Sequence, residues 1–535
     1  MKRSVAGRVA LAGVLVVALS SQVAAHAAGP RCAGPAPGGD WPMYGHDATN
    51  SRRQPAESTL APARVATLQP RWSFTTGRPS GAPALDLAEL NSTPIEAGGC
   101  VYAGAATAAP GQPDVYALNA DNGERVWEAV LDANPAGLGG AIVGAPLVTG
   151  DAVIVVVNQQ GDGSSLGPYV VALDRRTGHR KWMSPPIVTM SGYYTNASPA
   201  LGRGVLVIGF SAPEGDPYGH GGVALVDVAT GRLLKLVYSV PPADWGTPDA
   251  PGYAGGGVWT TPAVDESSGY AYYGSGNPFS KQVAHPRTNA ILKLDVDRRR
   301  STFGEVVGSY QGNIDQYSDL IRTASAPTCS LLPDNPWSSI PAPPDRRAGD
   351  FQALLDNSAG CVQLDLDFGA APNLLREPDG RLLVGDLQKS GVYHAVDTAT
   401  MTKAWISIIG TSCQFCNGSS TAFDGSSAAI YGDVSPGSLL TSIAADDGAV
   451  GWYSPVGDLV HYQSVSVADG VVYTIDNGGF LDAVDANSGL PILHRSVASD
   501  VGADTITLTS AGVAVARHTI YVTAGSHLVA YQPAP

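Results

Sequence analysis

The chain is 535 residues long, carries 47 acidic against 32 basic side chains, and has a formal net charge of −15. An acidic balance of this size disfavours nucleic-acid backbones and anionic lipid surfaces as partners. Sixty-four glycines, forty prolines and only 15% charged residues, without a long amphipathic helical pattern, exclude a helical architecture and imply many short strands joined by tight turns.

At the start, Lys2, Arg3 and Arg8 accompany an apolar run over 9–19, and small residues ending Ala25-His26-Ala27 follow. That order predicts a secretory signal peptide over 1–27 and one domain over 28–535. The run is shorter than the roughly 20 apolar residues a bilayer span takes. No membrane span is expected, and the location is secreted or periplasmic. Six cysteines, an even number, suit an oxidising compartment. Cys329 and Cys361 share one long insertion and Cys413 and Cys416 are near neighbours, which leaves Cys32 and Cys100 for each other. Other pairings stay open on sequence alone.

Further along, VYALNADNGERVW ending at Trp127 repeats as VVALDRRTGHRKW ending at Trp182. An apolar strand ends in Asn or Asp, Gly follows four positions on, and Trp eight positions on. The pattern returns at Asp227 with Gly231, Asp397 with Trp405 and Asp485 with Gly489, and more loosely at Asp295 with Phe303 and Gly448 with Trp452. Each copy reads as a β-hairpin. Most copies follow a small residue before Pro and an apolar alternation, as at Thr93-Pro94, Ala145-Pro146, Ser198-Pro199, Thr261-Pro262 and Ala371-Pro372. Two more strands there complete a four-stranded unit, which must stack on its neighbours to bury both faces. At the C-terminal end, LVAYQ (528–532) is a first half-hairpin without a second, and WSFTTG from Trp72 is a second half without a first. Joined, they make an eighth unit. The fold class is all-β, an eight-bladed β-propeller fastened by strands from both ends of the chain. The gap from Asp295 to Asp397 is far wider than the others, and its excess, about 311–362, is expected as a loop near one mouth of the ring.

The stretch GGGVWTTPAVDESSGYAYYGSGNPFS (255–280) resembles the blade of pyrroloquinoline quinone (PQQ) dependent alcohol dehydrogenases that holds cofactor and calcium, most nearly the polyvinyl-alcohol dehydrogenase type. DWPMYGHDATNSRRQP from Asp40 is similar to the N-terminal segment of that group. The resemblance implies that Trp259 stacks on the quinone, that Ser211 and either Asn196 or Thr195 contact it, and that Glu214, Asn277 and Asp367 ligate calcium. It further implies that Asp367 is the catalytic base and that Lys389 donates to the reactive quinone carbonyl. Asp365-Leu-Asp367-Phe-Gly and Gln388-Lys389-Ser-Gly carry the last two assignments. Calcium wants six to eight oxygens, more than Glu, Asn and Asp side chains give here, so metal and quinone would bind together.

The implied activity is oxidation of a small-molecule or polymeric alcohol, with electrons passed to an external acceptor. Cys413-Gln-Phe-Cys416 is followed by Asn417 rather than His, so no covalent haem c is expected. A tetrahedral zinc site there would need two further ligands nearby, and none is present. Gly163-Ser-Ser165-Leu-Gly167 matches a hydrolase nucleophile elbow in letters only, since it falls in a loop between strands rather than between strand and helix. The alternative reading is a non-catalytic scaffold, because the outer-membrane assembly propeller uses the same repeats without cofactor.

Overall fold

The repeated turns are built by the residues that spell them. Asp174 Oδ1 accepts hydrogen bonds from the N–H and hydroxyl of Thr177. Thr230 does the same for Asp227, Thr400 for Asp397 and Ser488 for Asp485. The next residue sits in the left-handed region, at φ 72° for Gly178 and 71° for Gly489, where a Cβ is strained. Apolar runs on either side of each turn then pair antiparallel, as Tyr169–Asp174 does with Arg180–Met183.

The computed structural model describes Met1 and residues 31–76, 89–90, 92–106, 112–131, 140–159, 167–213, 216–247, 252–279, 285–312, 367–377, 379–410, 417–434, 439–456, 463–476, 478–503 and 511–535. Eight sheets form eight blades of a β-propeller. In chain order, blades 1 to 7 span 95–129, 147–183, 200–238, 263–311, 373–408, 422–455 and 466–496. Blade 8 is composite. Ala514–Ala516, Thr519–Ala524 and His527–Pro533 supply three strands, and Leu68–Thr75 supplies the outermost, with Trp72 opposite Ala530. The inner strand of blade 8, Ala514–Ala516, packs against that of blade 1, Ile95–Ala97, and the ring closes.

The Gly and Trp of the repeat serve different blades. A Cβ on Gly123 would stand 2.6 Å from the Trp72 indole, and Gly178, Gly231, Gly448 and Gly489 meet Trp127, Trp182, Trp405 and Trp452 in the same way. Each Trp lies on the outer strand of one blade and covers the turn glycine of the next. Trp72, Trp127, Trp405 and Trp452 also donate from Nε1 to a carbonyl of that turn at 2.9–3.0 Å. Three seams depart from this pattern. That between blades 7 and 8 has no such turn, because the outer two strands of blade 8 come from distant parts of the chain. Lys235 replaces Trp over Gly304 and donates to Phe303 O at 3.1 Å. Between blades 4 and 5 the sizes are exchanged, with Gly308 at the Trp position and Met401, at φ 54°, at the glycine position.

The small residues before proline join the blades nearer the axis. Ala145 N–H donates to Ser198 Oγ, Ser198 N–H to Thr261 Oγ1, Ala371 N–H to Ser420 Oγ and Gly512 N–H to Thr93 Oγ1, at 2.8–3.0 Å. Inside the ring, the stretch from Gly39 to Gln54 runs as a collar from blade to blade. Its carbonyls at Gly39, Pro42, Ala48, Thr49, Ser51 and Arg52 accept N–H groups of Arg517, Val148, Val264, Leu374, Phe423 and Val467. Arg53–Gln54 adds a short parallel strand to blade 7. Arg52 is fully buried, donates to Val465 O and Tyr44 O, and burial lowers its pKa to about 10. Ahead of the collar, Cys32 and Cys100 form a disulfide.

Cys329, Cys361, Cys413 and Cys416, residues 313–362 of the insertion expected at about 311–362, and residues 2–27 of the signal peptide expected over 1–27 lie outside the described residues. Among the described residues no helix is long and apolar enough to cross a membrane.

Candidate active site

The second strand of each blade runs from the collar mouth to the opposite one, and the loops that follow it there hold the predicted side chains. In blade 4, Tyr270–Gly274 leads into Ser275-Gly276-Asn277-Pro278. This loop pairs with the glycine run ahead of Trp259. Gly276 N–H donates to Gly257 O at 2.7 Å and Gly256 N–H to Asn277 O at 3.0 Å. Glycine is needed at 257 because a Cβ there would stand 2.4 Å from Ser211 Oγ.

From blade 5, Asp367 enters the same loop. Its Oδ1 accepts the Asn277 N–H and its Oδ2 accepts from Lys389 Nζ at 2.7 Å. Asp367 is fully buried and Lys389 is 12% exposed. A second strap fixes the lysine, since its N–H donates to Asp367 O at 2.9 Å and its carbonyl accepts from Asn417 Nδ2 at 3.0 Å. Lys389 Nζ stands 5.0 Å from the centre of the Trp259 ring, within cation–π range of a half-buried indole.

Ser211 and Thr195 continue the wall on the blade 3 side. Tyr194 and Ser211 exchange backbone hydrogen bonds, and Ser211 Oγ donates to Ala212 O at 3.1 Å. Thr195 is buried between Asn158, which bonds its backbone, and Ala197, whose N–H donates to Thr195 Oγ1. Asn196 is exposed. Glu214, Asp365 and Ser165 lie outside the described residues.

The structure therefore brings Trp259, Asn277, Asp367 and Lys389 to one point, with Ser211 one glycine away and Thr195 behind it. Asn417 belongs to the same cluster. From sequence it marked only the missing histidine after Cys416 and was not a site candidate, and its left-handed backbone, φ 57°, is visible in the structure alone. Beside Gly274, Asp386 is fully buried with no well-formed hydrogen bond on either oxygen among the described residues, and burial pushes its carboxyl well above the ordinary range against the weaker pull of the Leu387 backbone N–H. A cavity of about 270 Å³ at the collar mouth, lined by Asp47, Ser51, Arg53, Asp265, Arg376 and Phe423 among others, shares no residue with this site.

The donor set suits a flat anionic cofactor with a hard cation. A carboxylate and an amide-bearing residue offer oxygen chemistry, the ammonium offers charge, and the indole offers a face. Among the described residues no group of three or more His, Cys, Asp or Glu could hold a metal by itself. A cation here would draw further ligands from outside that set.

The family model described as outer membrane protein assembly factor BamB matches residues 69–239, less than half of the chain. A polyvinylalcohol dehydrogenase of a Pseudomonas species is 24% identical over 304 residues, covering 50% of this chain and 42% of the relative. The quinohemoprotein alcohol dehydrogenase ADH IIB of Pseudomonas putida is 26% identical over 297 residues, covering 51% and 40%. The match thus spans about two fifths of either relative's length. The solved quinohemoprotein alcohol dehydrogenase ADHIIG of Pseudomonas putida HK5 superposes with a TM-score of 0.62 at 16% identity, covering 93% of this chain and 82% of that one. Fold and sequence place the chain beside the PQQ-repeat propellers. Within them its resemblance is to the PQQ-dependent alcohol dehydrogenases.

Proposed function

We propose that this chain is a PQQ- and calcium-dependent alcohol dehydrogenase, exported by a cleaved leader, that passes electrons to a separate acceptor. The observation that carries the reading is the convergence of Trp259, Asn277, Asp367 and Lys389 from two blades at one mouth. Bound there, PQQ supplies a carbonyl carbon that accepts hydride. Trp259 offers the face on which a planar ring lies. Asn277 and Asp367, with Glu214 from blade 3, are the cation ligands of this reading. Asp367 takes the hydroxyl proton of the alcohol onto a carboxylate oxygen. A carboxylate has about four acceptor positions and these two hydrogen bonds use one on each oxygen, so the proton can be taken while both hold; the Lys389 bond is the one a side-chain rotation can release. Lys389 then presents its ammonium where negative charge builds. Both groups are shielded from water, which strengthens their effect.

The similarity to a polyvinylalcohol dehydrogenase and to a quinohemoprotein alcohol dehydrogenase supports alcohol as the substrate class, polymeric in the first case. Asn417 in place of a histidine after Cys416 supports transfer to an external acceptor rather than to a covalent haem. The test is reconstitution of purified protein with PQQ and calcium, followed by dye reduction with primary, secondary and polymeric alcohols. Calcium-dependent reduction with at least one of them is expected. The name attached to the family model over 69–239 favours a binding scaffold as the second reading, and protein that takes up quinone yet reduces no dye with any alcohol would favour it.

A further inference from the structure

Behind Asp367 and Lys389, in the seam between blades 4 and 5, lies a line of buried polar side chains that the proposed chemistry does not use. Tyr310 on the outer strand of blade 4 donates from Oη to His394 Nδ1 at 3.1 Å. The tautomer follows from the other nitrogen: Nε2 faces Gln388 Oε1 at 3.3 Å, and an amide oxygen only accepts, so Nε2 carries the proton and Nδ1 is left to accept from Tyr310. Ser390 Oγ donates to the same oxygen at 2.6 Å. The Phe368 ring meets His394 edge-on with centres 5.2 Å apart.

His394 stands where the matching strands of blades 2, 3 and 4 carry Val171, Ala224 and Leu292, and those of blades 1, 6 and 7 carry Tyr116, Thr441 and Asp482. It is 1% exposed, and burial lowers its pKa to about 3. A buried imidazole costs stability unless its nitrogens are bonded. Both of these are, and the bond they feed leads to the Lys389 turn. Gln388 N–H donates to Val392 O at 3.0 Å and Gly391 N–H to Gln388 O at 2.9 Å, closing a tight turn around Lys389. Asp367 holds the lysine backbone on one side and Asn417 on the other. The Gln388 side chain ties the turn to His394 on the third strand of blade 5, and Tyr310 carries the tie across to blade 4.

We propose that His394 is a positioning residue, which through Gln388 fixes the turn that presents Lys389 to Asp367 and Trp259, with Tyr310 fixing the imidazole in turn. The geometry stands by itself; only its consequence for turnover rests on the dehydrogenase reading. Loss of the imidazole removes the Nε2 bond that holds Gln388 Oε1 to the neighbouring strand, so the turn gains a second arrangement in which Lys389 leaves Asp367.

The test uses His394→Phe, which keeps a ring beside Phe368 and removes both bonds, and Tyr310→Phe, which removes one hydroxyl. The rate at which trinitrobenzenesulfonate labels Lys389 is followed by mass spectrometry on folded, quinone-free protein, with Lys181 and Lys235 as internal controls. We expect Lys389 labelling to rise roughly tenfold in His394→Phe and a few-fold in Tyr310→Phe, with the controls unchanged. In reconstituted enzyme kcat falls while the alcohol KM holds. Unchanged Lys389 labelling in folded His394→Phe overturns the proposal. Where that variant does not fold, unchanged labelling in Tyr310→Phe overturns it instead. Faster labelling without alcohol turnover by the wild-type protein upholds the positioning role and removes the dehydrogenase reading.

Discussion

Asp367 is the residue on which most converges, because its two oxygens answer to two different parts of the chain. Asp367→Asn keeps the shape but loses the base and the charge that holds Lys389. It is expected to lower dye-linked turnover by at least about a hundredfold and also the melting temperature, because the amide NH2 must face one of the two buried donors; near-normal turnover would remove Asp367 from the chemistry. The sequence showed Trp259, Asn277, Asp367 and Lys389 because their short motifs are contiguous. Tyr310, His394 and Asn417 were not legible, because they act through partners in other blades and sit in strands or turns without a motif.

Glu96 poses a different question at the same scale. It is fully buried under the collar, where burial and then the neighbouring Asp40 raise its pKa from 4.5 to about 8, against the opposing pull of Arg517. The folded protein therefore holds a proton that the unfolded chain has released between those pH values. Stability is fullest below pH 4.5 as far as this group is concerned, and falls by on the order of 1 kcal/mol per unit as pH rises towards 8. Denaturant unfolding across pH 5–8 should show that slope, and Glu96→Gln should flatten it. An equal slope in the variant would assign it to other groups.

Among the elements, the hairpins were readable because each is local, with strand, turn cap and glycine inside one stretch of sequence. Which blade the Trp served was not readable, since the spacing fits a contact within one hairpin as well as between two. The exchanged seam makes the point. Gly308 and Met401 each break the pattern when read singly, and together they satisfy it with the sizes reversed. Gly308→Trp should therefore destabilise by about 1–3 kcal/mol through overpacking against Met401. Adding Met401→Gly, which also relieves a left-handed backbone, should recover most of the loss. Additive losses in a double-mutant cycle would show that the two positions do not compensate each other. Trp127→Ala offers the comparison at an ordinary seam, with an expected cost of about 3 kcal/mol.

At the scale of the molecule, a ring of hairpins needs a clasp, and this one has two. Strand His527–Pro533 lies between Thr519–Ala524 and Leu68–Thr75, so blade 8 is held by pairing between distant parts of the chain. The collar then ties Gly39–Gln54 to the inner strands around the axis. The unmatched half-hairpins made the first clasp legible. The second was not: the segment from Asp40 was recognisable as a motif, but that its carbonyls and its Asn50, Arg52 and Gln54 side chains reach carbonyls and N–H groups of several blades is a matter of partners far away in the chain. Deleting 527–535 should leave two unpaired edges and lower the melting temperature sharply by circular dichroism; an unchanged transition would mean that the collar closes the ring alone. Both clasps serve the mouth where blades 4 and 5 present their loops, for a gap of even one ångström between blades would separate Asp367 from Asn277.

The gathering of these side chains around one flat cofactor is tested most directly by titrating the purified protein with PQQ, with calcium or with chelator, while following tryptophan fluorescence in the wild type and in Trp259→Phe. Saturable, calcium-dependent quenching at one quinone per chain, largely lost in the variant, is the predicted result. Quenching that does not saturate, or that is the same without Trp259, would contradict it.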